Sequence, residues 1–174
     1  MGQGSCHRES VERGSCLILF SDTGPILALA RIDQLDLLRQ LFGNLFIPPA
    51  VRAEIKDEIS VAAVATADWI TVQAVHDMLA VQLLQEELDA GECEAIILAK
   101  ELTADLILID ERSATRRARM LGLPVIGTLG VLLLGKQVGQ LVALRPLLER
   151  LRSIEFHMST DLFEHVLSAA DETE

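Results

Sequence analysis

The strongest constraint on how this chain folds is a pair of short, unbroken apolar runs that stop in the same way. Cys16-Leu-Ile-Leu-Phe20 is followed by Ser21 and Asp22, and Leu106-Ile-Leu-Ile109 runs directly into Asp110. A strand with one wet face alternates apolar and polar residues. A strand covered on both faces is apolar throughout, and such strands belong to parallel sheets packed between helices. Leu45-Phe46-Ile47 and Val125-Ile126 are shorter runs of the same kind, and Trp69–Gln73 alternates as a further strand.

The segments between these runs carry helical spacing. Ser21-Asp22-Thr23-Gly24-Pro25 is a turn that leads into Ile26–Ala30, and Leu35–Leu41 is an amphipathic helix stopped by Gly43-Asn44. Pro49 suits the first turn of a helix running to about Glu58, with a further short helix over Ala62–Asp68. His76–Leu88 reads as helical. Asp89-Ala-Gly91-Glu92 has the form of a capping box ahead of a helix over Glu94–Leu102. Arg112–Leu121 is a basic helix closed by Gly122, and mostly helical pattern follows Ile126 to Ala170. Strands separated by helices predict an α/β protein, a three-layer α/β/α sandwich around a short central parallel sheet.

Residues 1–15 show no periodicity and are expected to form a loose leader, with 16–174 forming one domain that includes the C-terminal helices. At 174 residues roughly 70% of the unfolded chain's surface can be buried, so the core needs no staples. Half the residues are hydrophobic, which excludes a disordered tail or a low-complexity linker. Aromatic residues make up only 3%, which speaks against multi-base stacking platforms. Three scattered cysteines, Cys6, Cys16 and Cys93, point to a reducing compartment. The greasiest stretch, Leu121–Gly135, is interrupted by Pro124, Gly127 and Gly130 and falls short of the ~18 residues of a membrane span. The expectation is a soluble, cytoplasmic protein that makes no membrane contact.

The net charge of −11 excludes a general polyanion binder, but the charges are segregated. Glu86–Glu111 holds nine acids against one base, whereas Arg112–Arg152 holds eight bases against one acid. An acidic pocket beside a basic rim would produce this pattern, as would two ordinary solvated helix faces.

In an open parallel sheet all strand C-termini share one edge, and ligands bind there where the strand order reverses. Asp22 and Asp110 therefore belong to the same edge. Two carboxylates brought together raise each other's pKa, a conflict that a divalent cation removes. Each Asp also suits the simpler job of capping the helix that follows it. Two further acids complete a possible site. Glu54 follows the second strand, and Glu94 abuts the apolar run Ala95–Ala99. Glu92 already has a capping-box role. Oxygen-only ligands suit Mg²⁺ or Mn²⁺, and no His/Cys spacing suits zinc.

Taken in order, Ser21-Asp-Thr-Gly-Pro-Ile26, Pro48-Pro-Ala-Val-Arg-Ala-Glu-Ile55, Asp89-Ala-Gly-Glu-Cys-Glu-Ala-Ile96 and Leu106-Ile-Leu-Ile-Asp-Glu111 resemble the motifs of PIN-domain ribonucleases. The similarity is greatest to the prokaryotic branch related to the virulence-associated toxin C nucleases. The resemblance implies a metal site of Asp22, Glu54, Glu94 and Asp110, with Thr23 orienting a carboxylate and Glu111 as an additional acid beside it. Many PIN nucleases carry Ser or Thr two residues before the last strand's Asp, where this chain has Leu108. The implied activity is Mg²⁺- or Mn²⁺-dependent hydrolysis of RNA to 5′-phosphate and 3′-hydroxyl ends. Arg112, Arg116 and Arg119, which share a helical face, are candidates for phosphate contacts, with Arg117 beside them. The resemblance further implies a homodimer and a small antitoxin partner, as in a toxin–antitoxin pair.

Two other readings compete. A PIN-like binding module with a decayed metal site would keep the fold and lose the chemistry. A Mg²⁺-dependent phosphotransfer domain would want a second acid near Asp22 or a Lys after the last strand, and neither is present.

Overall fold

The computed structural model describes residues 17–172. The expected leader 1–15 and Cys16, the first residue of the expected first strand, lie outside the described residues.

Five short strands, β1 (Leu19–Ser21), β2 (Leu45–Ile47), β3 (Ile70–Val72), β4 (Leu106–Leu108) and β5 (Val125–Ile126), form one sheet. Its order is β3-β2-β1-β4-β5, and every pairing is parallel. The chain steps outward from β1 to β3, then returns to the other side of β1 to lay down β4 and β5. The order therefore reverses between β1 and β4, which pair in register with Ser21 opposite Leu108. The expected α/β/α sandwich is the architecture observed.

Among the described residues ten helices flank the sheet: α1 (Thr23–Arg31), α2 (Asp36–Phe42), α3 (Pro49–Glu54), α4 (Glu58–Thr66), α5 (Met78–Leu84), α6 (Ala90–Glu101), α7 (Arg112–Met120), α8 (Thr128–Gln137), α9 (Arg145–Ser153) and α10 (Thr160–Ala169). Helix α6 lies against β1, β4 and α7, while α1 and α2 both touch α8. One hydrophobic cluster runs from Leu19 to Ala170, and Phe20, Leu29, Ile96, Leu98 and Leu108 are fully buried in it. Of the described helices, none is long and apolar enough to cross a membrane.

The local boundaries differ from expectation in a few places. The first strand starts at Leu19 because Ile18 turns its backbone toward the loop before β4. Its N–H donates to the Asp105 carboxylate at 2.8 Å, and its carbonyl accepts from the Asp105 amide at 3.1 Å. The helix expected from Pro49 to Glu58 ends at Glu54. Asp57 opens a new one, its Oδ1 accepting from the amide and hydroxyl of Ser60 at 3.1 and 3.0 Å. A short polar side chain competes with the backbone for amides, so an Asp with helix-competent residues after it starts a helix as readily as it continues one. The capping box Asp89/Glu92 is formed, and it begins α6 at Ala90, four residues before the expected start at Glu94.

Candidate metal centre

Asp22 follows β1 directly, and its backbone N–H donates to the Leu108 carbonyl at 3.0 Å, continuing the sheet one residue past the last pair. Its side chain is therefore delivered to the C-terminal edge at the reversal of strand order. It is 6% exposed and makes no side-chain cap bond to α1. Burial, opposed by the nearby Thr23 amide and reinforced by the charges of Glu92, Asp89 and Glu54, pushes its carboxyl up to about 7.

Helix α3 touches both α1 and α6, and so brings Glu54 to this edge. The Glu54 carboxylate is held from both sides: the Thr23 hydroxyl donates to Oε2, and the Gly91 amide donates to Oε1 at 3.0 Å. Position 91 has no room for a side chain. A Cβ there would fall 2.8 Å from Glu54 Oε1 and 2.9 Å from its Cδ, so glycine is what lets the carboxylate lie against the start of α6.

Asp89 completes the group. Carboxylate oxygens of Asp22, Glu54 and Asp89 lie within 4.8 Å of one another. Oδ1 of Asp89 accepts from the Glu92 amide at 2.9 Å, which leaves further lone pairs on the same carboxylate. Glu92 is buried against the same region, and burial with the Asp89 charge raises its pKa. The fit to a divalent cation rests on this chemistry. The donors are hard oxygens, and bonds of about 2.0–2.6 Å let one ion reach all three. A buried carboxyl driven toward neutrality by its neighbours is relieved by such a charge.

The remaining expected ligands are placed differently. Glu94 sends Oε2 to the Ala50 amide at 3.0 Å, in the first turn of α3, and thereby fixes the helix that carries Glu54. Asp110 stands on the same sheet edge as Asp22, but Thr128 engages both its oxygens, the amide at 2.7 Å and the hydroxyl at 2.6 Å. Burial raises the Asp110 pKa, and these two bonds offset only part of the rise. Among the described residues, neither Glu94 nor Asp110 joins the close group of three. Glu111 is exposed and caps α7 through Ser113, its amide at 3.2 Å and hydroxyl at 3.1 Å. Leu108 is fully buried, and the hydroxyl opposite it in register, Ser21, donates to the Asp22 carbonyl at 2.7 Å.

Sequence reasoning assigned Asp89 only a capping role and passed over Thr128. The signal for Asp89 was its place within Asp89-Ala-Gly-Glu92, but a cap uses one oxygen and the direction of the other is a tertiary matter. Thr128 follows β5 as Asp22 follows β1, near a strand end on the same edge.

Next to Asp110 opens a groove of about 620 Å³ lined by Arg112, Thr115, Arg116, Arg119 and Met120. The three arginines are exposed and occupy one face of α7, while Ala114 and Ala118 bury the opposite face. Arg117 points elsewhere and pairs with Glu87 at 2.5 Å.

Residues 18–172 match the sequence model of a family described as a PIN domain. The chain belongs to the PIN-domain family. No curated protein matches the chain. PIN domains are usually nucleases that use divalent metals, and this chain carries the nuclease-type fold together with a carboxylate cluster able to hold one.

Proposed function

We propose that the protein is a metal-dependent ribonuclease that cuts RNA to 5′-phosphate and 3′-hydroxyl ends. The observation that carries this reading is the convergence of Asp22, Glu54 and Asp89 at the reversal of strand order, one strand away from an arginine-lined groove. When bound, Mg²⁺ or Mn²⁺ supplies charge stabilisation to the attacking and leaving oxygens of an in-line displacement. Asp22, Glu54 and Asp89 would hold the ion, and Thr23 and Gly91 fix the Glu54 carboxylate beside the other two. Glu94 anchors α3 beneath it. Asp110, clamped by Thr128, stands between the cluster's sheet edge and the groove, where it orients a water or a substrate oxygen. Arg112, Arg116 and Arg119 hold backbone phosphates without reading sequence.

We extend the reading to a homodimer and to neutralisation by a small antitoxin. It is supported by the exposed apolar strip of α5, where Leu79 and Leu83 are 68% and 66% exposed one helical turn apart. Light scattering of the protein alone tests the dimer.

The decisive assay compares wild type with Asp22→Asn on single-stranded RNA in Mn²⁺ and Mg²⁺. Wild type cleaves and leaves 5′-phosphate ends. The variant loses at least about 100-fold, since even groups that merely support a metal ligand are worth about 10- to 100-fold. Equal cleavage by both proteins overturns the site. RNA binding without cleavage by either would establish the binding-module reading instead.

A further inference from the structure

A second trough, of about 830 Å³, adjoins the arginine groove and shares Asp110 and Arg112 with it. Beyond these shared residues the two differ in chemistry. The first presents three guanidinium groups. The second is floored by Leu129, Phe156 and Leu162, with Glu111, Glu155 and His157 at its rim.

We infer that this trough is a nucleobase subsite, which takes one unstacked base of single-stranded RNA next to the phosphate held by the arginines. The inference rests on the ribonuclease reading and adds to it a seat for one base of the substrate.

A nucleic-acid strand alternates an anionic phosphate with a flat base whose faces are apolar and whose edges are polar. The two troughs offer these complements side by side, joined at Asp110 and Arg112. The acids at the rim of the apolar trough repel a phosphate, so the backbone stays on the arginine side and the base enters. The floor is preorganised. At the end of α9, Glu155 adopts φ 63°, its amide bonds to the Arg152 carbonyl at 3.2 Å, and the Phe156 amide bonds to the Leu151 carbonyl at 3.1 Å. This paired closure fixes the backbone that carries Phe156, and its half-buried ring offers a surface on which a base can stack. Leu162, at the start of α10, remains 40% exposed, and His157 is an exposed hydrogen-bonding ring beside the floor. Bases in a duplex have both faces covered, so only a splayed, single-stranded base can use the trough.

The test measures anisotropy of a short labelled single-stranded RNA in Ca²⁺, with one abasic ribose walked along the strand. Wild type is expected to lose roughly tenfold in affinity when the abasic site occupies one position, and little elsewhere. Phe156→Ala binds the intact strand that much more weakly and no longer responds to the abasic position. Leu162→Ala, which alters an exposed side chain and leaves the core alone, shows the same loss of response to a smaller degree. Equal wild-type affinity for every abasic strand overturns the subsite, as does unchanged positional sensitivity in both variants. If Arg116→Ala still weakens binding in that case, the ribonuclease reading survives. An absence of RNA binding altogether overturns both.

Discussion

Asp22 is the residue on which the charge state of the sheet edge turns. Its carboxyl ordinarily titrates at 3.8, and in the fold it titrates at about 7. Between those values the folded metal-free chain keeps a proton that the unfolded chain has released, so stability falls as pH rises through this window and levels off above it. Asp22→Asn removes the effect. In chelator-treated melts the variant should exceed wild type at pH 8 by about 2–4 kcal/mol, with the gap closing as pH falls toward the ordinary carboxylate range. Mg²⁺ or Mn²⁺ should raise the wild-type melting temperature at pH 8 and leave that of the variant unmoved. A pH-independent gap would show that buried charge is not what raises this group. Gly91 is the second residue to probe. An alanine inside a helix ordinarily gains about 0.5–1 kcal/mol over glycine, but here the new methyl evicts the Glu54 carboxylate from its seat. Gly91→Ala should therefore weaken Mn²⁺ binding in calorimetry by roughly 10- to 100-fold while the metal-free fold remains intact.

At the scale of elements, the helices share one way of stopping. The chain after α1, α6, α7, α8, α9 and α10 makes the same pair of backward amide bonds, through a residue of positive φ: Asp33, Thr103, Gly122, Gly139, Glu155 and Asp171. Glycine is the residue that adopts this conformation without strain, and only two of these sites have it. Thr103, at φ 52°, is the most strained of the others, because a β-branched side chain crowds the left-handed backbone. Thr103→Gly should raise the unfolding free energy by about 0.5–1 kcal/mol in urea titration, the relief of strain outweighing the added freedom of the unfolded chain. The C-terminal helix is tied down differently. Glu172 accepts from the Leu144 and Arg145 amides at 2.7 and 3.0 Å and pairs with Lys136 at 3.0 Å, which pins the start of α9 to the end of α10.

For the whole molecule, the question is how a chain of net charge −11 holds a polyanion. The answer lies in placement: the acids before Asp110 gather on α6, the segment leading into it and the strand edge, whereas the arginines of α7 line their own groove. A local basic groove binds phosphates by releasing counterions, so its contribution is read from salt dependence. Each arginine that contacts a phosphate of single-stranded RNA should contribute about 0.7 to the slope of log K against log salt. Arg112→Ala with Arg116→Ala should flatten that slope by about 1.4, measured by anisotropy over a salt series. Arg117→Ala, which breaks a pair with Glu87 instead, should leave it nearly unchanged.

Much of this molecule was legible in one dimension, because the signals involved are local. Continuous apolar runs identified the buried strands, and β2 falls on Leu45–Ile47 as read. Parallel order then placed Asp22 and Asp110 on one edge without any knowledge of contacts. Helical period put Arg112, Arg116 and Arg119 on one face of α7, and Asp89 with Glu92 announced the start of α6. Which acids meet was decided only in three dimensions. Glu54 and Glu94 follow their segments in equivalent ways in the sequence, yet one carboxylate turns toward Asp22 and the other toward the Ala50 amide. Asp89 makes its cap and still lies close to Asp22 and Glu54, whereas Asp110, held by Thr128, stands outside that close group. Amides and hydroxyls from segments far apart in the chain compete for each carboxylate over a few ångströms. Pattern and propensity dictate which elements form and which edge they share, but only the packing of α3 against α6 and the meeting of Thr128 with Asp110 determine which carboxylates come together.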